Sequence, residues 1–597
     1  MIPPRGWNRA LPWLGAVAGF CVGVALSRTI SMAAKPGQLP GIAARIGFDP
    51  HGYMWRLFVL VACPIVGGFF ATWIARAGES SSEAAALRPP LPRTAVILLA
   101  CAVATLWCVS SLRHRATVNI YEDGHSLLPA SEYLRGELPY RDIVPGHGLI
   151  SDGLLQAAGL RLFGNDYRGY LRTETFAAAL FWPSLCVLAL VATGSAAAAF
   201  GTLLMTFLSY HEPGYLRVIP SFWVLAFALA ASRRGRDRLW IVCGMLVPIA
   251  LLVAVEFAVY SGGAALVALW VARGPRLRHL GRFAAGAAIS ALAIALVFGA
   301  MGILGGFVET TFFYLPTLLP AYGIPLMRPA LPWSPGFSSL AAFLSDPTMF
   351  LYSVVTLSVL VLGSVLPLGA RIGDRARAAL PVLAWIVFAM VSVVERRHVS
   401  YPMFLVPLGL VLLALWFKGE RRWTSPRGLA AAAALAVVVV LGKPWRLASM
   451  LASPDISWLA TFEEPQRARG GLFMPADAAL VRATNALIRE ANLSPEETWL
   501  DFANAPGLHY LFARDCPIRY FEVAFYESEA AQDEVVAALE RNPNVRAVLV
   551  RSGLPSDPID GVPNAVRAPK VAKFLELNFQ PFLKQDGVEF WIRRPRP

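Results

Sequence analysis

The chain has 597 residues, of which 56% are apolar and only 15% charged, and it carries a net charge of +14. Ordinary soluble domains hold roughly 25% charged residues, so a string of soluble domains is excluded. The basic excess lies mainly in short loops between apolar blocks, a pattern that orients membrane spans and argues against nucleic acid as a partner.

Taken in chain order, apolar blocks fall at 11–30, 57–75, 94–112, 173–193, 196–210, 218–232, 239–255, 258–272, 283–304, 348–369, 378–394, 399–417 and 428–442. Their lengths are near those needed to cross a hydrocarbon layer roughly 30 Å thick. Backbone groups in lipid have no water to bond to, so each block is expected to be helical. The expected fold class is an α-helical polytopic membrane protein with about thirteen transmembrane helices and a small C-terminal α/β domain. The first block follows a short basic flank and superficially resembles a signal peptide, but no small-x-small cleavage site follows Leu26, so it reads as a first span. Six of the seven cysteines lie inside apolar blocks and only Cys516 in the tail, which leaves no disulfide framework to expect.

Placing the N-terminus in the cytoplasm puts twenty Lys and Arg on the cytoplasmic loops, among them RRGRDR (233–238) and GPRLRHLGR (274–282). The short outer turns at 211–217, 256–257 and 395–398 keep only Arg217, Arg396 and Arg397. That asymmetry predicts an inner-membrane protein whose segment 113–172 and everything after Gly442 are periplasmic. The expected divisions are 1–112, three N-terminal transmembrane helices; 113–172, an outer loop; 173–446, helices four to thirteen with an outer loop at 305–347; and 447–597, a periplasmic α/β domain. In the 305–347 loop, Phe312, Phe313, Tyr314 and Trp333 suit the headgroup layer.

The outer loop carries two amphipathic stretches, Ser126–Leu134 and Leu149–Phe163, which are expected to lie flat in the interface. Glu122 and Asp123 adjoin one another just before the first. Neighbouring carboxylates raise one another's pKa, and one of them can serve as general base toward a hydroxyl; the bland alternative is a solvated loop with ordinary acids. Of eight histidines, His125, His147, His211 and His398 fall on outer loops, His147 within the turn PGHG. Further charge lies at the outer span ends: His211, Glu212 and Arg217 in HEPGYLR, Glu256 at the next junction, and Arg397 and His398 in ERRH. Charge at membrane depth is costly and commonly faces a cavity or a partner. Arg217 and Arg397 are suited either to grip a phosphate with the planar guanidinium or to snorkel to lipid headgroups. No two histidines stand at i, i+4 on a helix, so no structural zinc site is expected.

In the tail, candidate strands are Thr498–Phe502, Arg519–Glu522, Arg546–Arg551 and Glu589–Ile592, and candidate helices are Ala476–Ala491, Ala530–Arg541 and Val571–Asn578. Their alternation predicts the α/β domain. GlyGly at 470–471 precedes no strand–helix unit of the phosphate-loop kind, so no nucleotide site is expected.

The acidic pair, the segment Glu132–Asp142, the Pro145–Gly148 turn and the tail sequences 500–514 and 537–543 together resemble bacterial GT-C glycosyltransferases of the protein-mannosyltransferase and aminoarabinose-transferase branch. The resemblance is best over Tyr121–Gly164, although Gly124 and His125 replace the second acid that some branches place after the first. It implies a sugar transferred, with inversion at the anomeric carbon, from a polyprenyl-phosphate-linked donor to an acceptor at the outer membrane face. It also implies Asp123, with Glu122 as substitute, as the base. Donor phosphate contacts would fall to Arg217, Arg397, His147 and His398, and acceptor or sugar contacts to His125, His211, Glu212 and Glu256. Membrane lipid, the lipid-linked sugar and an acceptor are the expected partners. Acids and phosphate together leave room for a divalent metal, though no pattern demands one. The rival classes are a polysaccharide ligase or polymerase and a transporter or flippase of lipid-linked sugars. The flippase reading lacks support from an inverted repeat, since none is visible.

Overall fold

The computed structural model describes residues 7–30, 50–76, 117–209, 216–234, 236–315, 347–396, 405–417, 459–559 and 562–595. Within them, helices cover most of the apolar blocks: Trp7–Thr29, Pro50–Arg76, Tyr167–Thr193, Ala196–Ser209, Ile219–Arg234, Leu239–Val253, Val255–Val271, Arg276–Ala300, Pro347–Val365, Asp374–Arg396 and Leu405–Phe417. The blocks 94–112 and 428–442 lie outside the described residues. Four stretches, Ala10–Ser27, Tyr167–Thr193, Leu216–Arg233 and Arg276–Ala300, are long and apolar enough to cross a membrane, and shorter apolar helices lie beside them.

Local chemistry explains where these helices start and how they meet. Asp166 caps the Tyr167–Thr193 helix by accepting from the Gly169 amide at 2.9 Å, and Gly194 ends it in the left-handed conformation. The first two helices approach through glycine: a Cβ on Gly19 would lie 2.2 Å from the Cys63 carbonyl oxygen. Gly15, Gly19 and Gly23 form the small-residue spacing that permits such contact in lipid. A core of Phe181, Trp182, Leu185, Phe222, Trp385 and Leu408 joins the central helices. Leu277, Ile289, Leu292, Leu296 and Val297 of the Arg276–Ala300 helix remain exposed, an apolar face fitted to lipid rather than to water.

The second body of structure joins residues 117–166 to 459–595. Strands β1 (Thr117–Val118) and β2 (Leu472–Phe473) pair in parallel. Four more, β3 (Thr498–Asp501), β4 (Val545–Arg551), β5 (Phe579–Gln585) and β6 (Val588–Arg593), form one sheet in the order β3-β4-β6-β5. The β3–β4 pair is parallel, and the β4–β6 and β5–β6 pairs are antiparallel. Helices Pro475–Glu490, Glu529–Arg541 and Pro569–Asn578 accompany the sheet. The second of these is capped by Ser528, which accepts from Ala531.

Two local expectations change. Arg519–Glu522 is not a strand: its residues pair with the outer loop instead, Val144 donating to the Arg519 carbonyl at 2.9 Å. The edge strand β5 was not foreseen, because Gln580, Pro581 and Lys584 interrupt the alternation that marks a strand.

The helix Gly124–Arg135 is not a bare amphipathic helix. Its Leu127 and Ala130 pack in one core with Phe473, Leu480, Trp499, Leu508 and Phe590. Leu128, Ile143 and Val144 enter a second core with Leu500, Phe521, Val535 and Val548. The apolar face that suggested an interfacial helix is taken up by protein. The following helix, Leu155–Phe163, does leave Leu162 and Phe163 exposed at its end.

Candidate functional site

The site is built where the loop 117–166 meets a break between two helices. Ala254 is extended (φ −159°, ψ 121°), which separates Leu239–Val253 from Val255–Val271 and frees backbone groups on either side. The PGHG turn supplies their partners. Val255 donates to the His147 carbonyl at 3.1 Å, and the Ser151 hydroxyl donates to the Val253 carbonyl at 2.7 Å. Gly148 fits there for want of a side chain, since a Cβ would stand 2.6 Å from the Val253 oxygen. Backbone left unpaired at such depth is costly, so the turn and the break hold each other in place.

This docking fixes Asp152, which has no exposed surface. Its Oδ2 accepts from the His147 backbone amide at 2.7 Å and lies 3.1 Å from His147 Nδ1. Its Oδ1 accepts from Ser151 Oγ at 3.2 Å and lies 3.7 Å from Arg217 Nη2. Burial would raise the pKa of this carboxyl, but the charge and hydrogen bonds of His147 and the charge of Arg217 outweigh it and hold Asp152 well below the ordinary range. Glu256 stands in the first turn after the break, half-buried.

Asp123 lies on the same loop. It is half-buried and accepts from the Tyr167 hydroxyl at 2.7 Å, the Tyr170 hydroxyl at 3.1 Å and the Asn119 amide at 2.9 Å. Burial raises its pKa to about 6 despite these three donors. Glu122 next to it points to solvent. The Asn119 side chain accepts from the Tyr121 and Glu122 amides at 3.1 and 3.0 Å, closing the turn that presents the pair.

His125, one helical step further, is buried beside Tyr121, Phe521 and His147, with ring centroids at 4.6, 5.4 and 6.0 Å. Its Nε2 lies 3.3 Å from Glu522 Oε2 as an ion-pair neighbour rather than in an aligned hydrogen bond. Burial lowers the pKa of this imidazole, but the contact and charge of Glu522 and the charges of Glu122 and Asp152 reverse the sign and raise it.

The structure therefore brings together His125, His147, Arg217 and the Glu256 junction, with Glu122 and Asp123 at the head of the same loop. His211, Glu212, Arg397 and His398 lie outside the described residues. Two further acids belong to the site, Asp152 and Glu522, and neither is marked as a site residue by local sequence. The first is masked because an acid in ISDGLL reads as the polar side of an amphipathic helix; the second has no local signal. The segment Glu132–Asp142 is architectural. Glu132 bonds Arg135 at 2.7 Å and the Cys516 amide at 3.2 Å, its carboxyl pushed up to about 7 by burial. Asp142 accepts from the Leu138 amide at 2.8 Å. Among the described residues, no three His, Cys, Asp or Glu side chains converge closely enough to hold a metal ion.

No family model matches the chain, and no curated protein matches it. Among solved structures, the oligosaccharyltransferase of Archaeoglobus fulgidus, tethered with an acceptor peptide containing the NVT sequon through a disulfide bond, aligns with 84% of this chain and 74% of its own. The identity is 14% and the TM-score 0.37, a level from which no residue role is taken.

Proposed function

We propose that the chain is a membrane glycosyltransferase of the GT-C type. It transfers a sugar from a polyprenyl-phosphate-linked donor to an acceptor at the outer face of the inner membrane, with inversion at the anomeric carbon. The observation that carries this reading is a division of labour on one loop. A carboxylate with a pKa of about 6, Asp123, stands at its head, and at the helix break Asp152 holds the His147 imidazole of the same loop together with the Arg217 guanidinium, which enters from the 216–218 turn. A carboxylate of that pKa is charged at neutral pH yet basic enough to accept a proton in the transition state.

In the step proposed, Asp123 takes the proton of an acceptor hydroxyl as that oxygen bonds to the anomeric carbon. The bond from that carbon to the phosphate oxygen breaks, and the prenyl phosphate leaves with the electron pair. Arg217 and His147 meet its growing charge, their geometry set beforehand. The sequence resemblance supports the same assignment of Asp123, with Glu122 as the exposed alternative. His398 and Arg397 are proposed to join the phosphate end, and His211, Glu212 and Glu256 the sugar or acceptor side.

The test uses purified protein in lipid with a series of labelled prenyl-phosphate sugars and candidate acceptors. Asp123→Asn is expected to abolish transfer while expression is retained. In the wild type, transfer is expected to fall as the pH drops through about 6, because Asp123 takes up a proton there. Unchanged turnover in both Asp123→Asn and Glu122→Gln would remove the proposed base.

A further inference from the structure

Glu522 stands out because it is carried by the C-terminal segment yet directed into the outer loop. It is 2% exposed, lies 3.3 Å from His125 and accepts from the Tyr121 hydroxyl at 3.1 Å. A carboxylate so far from water needs partners for its charge, and those two belong to a segment some 400 residues earlier. The backbone that bears it is held on both sides. Asn504, whose side chain accepts from the Val523 amide at 3.0 Å, fixes it to its own sheet. Val144 bonds the Arg519 carbonyl, and Arg135 lies 2.8 Å from Asp515, fixing it to the loop. The placement of Glu522 is thus set by construction rather than by the reach of a flexible side chain.

We propose that Glu522 is a positioning residue that the C-terminal segment contributes to the centre, fixing the His125 imidazole against the His147–Asp152 pair. The result is two imidazoles with ring centroids 6.0 Å apart, each backed by its own buried carboxylate, one carried by the loop and one by the C-terminal segment. The ionisable groups around His125 are Glu122 on the preceding turn, Glu522 opposite, and His147 and Asp152 alongside, with Arg217 beyond Asp152. Glu522 is the one in direct contact, so it dominates the orientation and charge of the ring. A charged His125 then adds a second cation to Arg217 for a departing phosphoryl group. That last step rests on the glycosyl-transfer reading; the pairing of Glu522 with His125 does not.

The test is nitrogen NMR of the full-length chain in lipid nanodiscs with labelled histidine, the His125 signal assigned by its loss in His125→Gln. In the wild type His125 is expected to titrate above an ordinary imidazole, with its Nε2 bearing the proton that faces Glu522. Glu522→Gln is expected to lower that midpoint by about one pH unit or more, and Glu522→Asp to keep most of it. An unchanged midpoint in a folded Glu522→Gln overturns the proposal. So does a wild-type ring protonated on Nδ1 with an ordinary midpoint, a result that needs no variant and stands even if Glu522→Gln misfolds. Transfer from the labelled prenyl-phosphate sugar is measured on the same samples. A pH–rate profile displaced in step with the midpoint supports the positioning role; a displaced midpoint in a chain that transfers nothing keeps the pairing and removes the transferase reading alone.

Discussion

A fully buried carboxylate set between the Arg217 guanidinium and the His147 imidazole makes Asp152 the most consequential single side chain described. Removing the carboxylate takes a buried countercharge from Arg217 and an acceptor from the His147 amide and ring, so Asp152→Ala is expected to cost about 3–5 kcal/mol, read as a lowered unfolding temperature in lipid. Asp152→Asn keeps the shape and loses the charge, and its loss should be smaller in stability than in any function that depends on Arg217. Because the folded-state pKa of Asp152 is lowered, its contribution is present above the ordinary aspartate value and disappears only in strong acid. The sequence made Asp123, His125, His147 and Arg217 visible, because charge beside an apolar block is conspicuous. It hid Glu522, because a contact across 401 positions leaves no periodic trace. Asp152 is hidden for another reason: near the start of the stretch Leu149–Phe163 it reads as the wet side of an amphipathic helix, whereas the backbone turns it inward.

Among elements, the helix break at Ala254 and the PGHG turn behave as one unit. Ser151→Ala would leave the Val253 carbonyl without its partner at an expected cost of about 1–3 kcal/mol. Gly148→Val, whose side chain has no room against the same oxygen, should cost at least as much and displace His147; hydrogen exchange at the Val255 amide would report the undocking of both variants. Protection unchanged in both would show that the break does not need the turn. The helices were readable from apolar length and the β3, β4 and β6 strands from their β-branched and aromatic runs. What failed was assignment by local pattern at the seams: β5 because an edge strand tolerates proline, and Arg519–Glu522 because its backbone pairs with the outer loop rather than with a sheet.

For the whole molecule, sidedness is the property on which the proposed chemistry depends. A single cysteine at exposed Asp533, in a background without the seven native cysteines, is expected to react with a membrane-impermeant maleimide from the periplasmic side of intact cells. Labelling that found it, or His147, in the cytosol would overturn the proposed orientation and the donor with it. The dependence of the tail on the loop leaves no sequence signal, because burial between distant segments is decided by tertiary packing alone.

That shared core sets an order of events during synthesis. Ile120 donates to the Asp477 side chain across 357 residues, and Val118, Leu127 and Leu160 share their packing with residues made last of all. The loop must therefore wait, part of its greasy surface uncovered, while the ribosome delivers the remaining helices. Only when the final strands arrive can it set. A chain cut short before them would be inserted yet left ajar, a natural target for quality-control proteases.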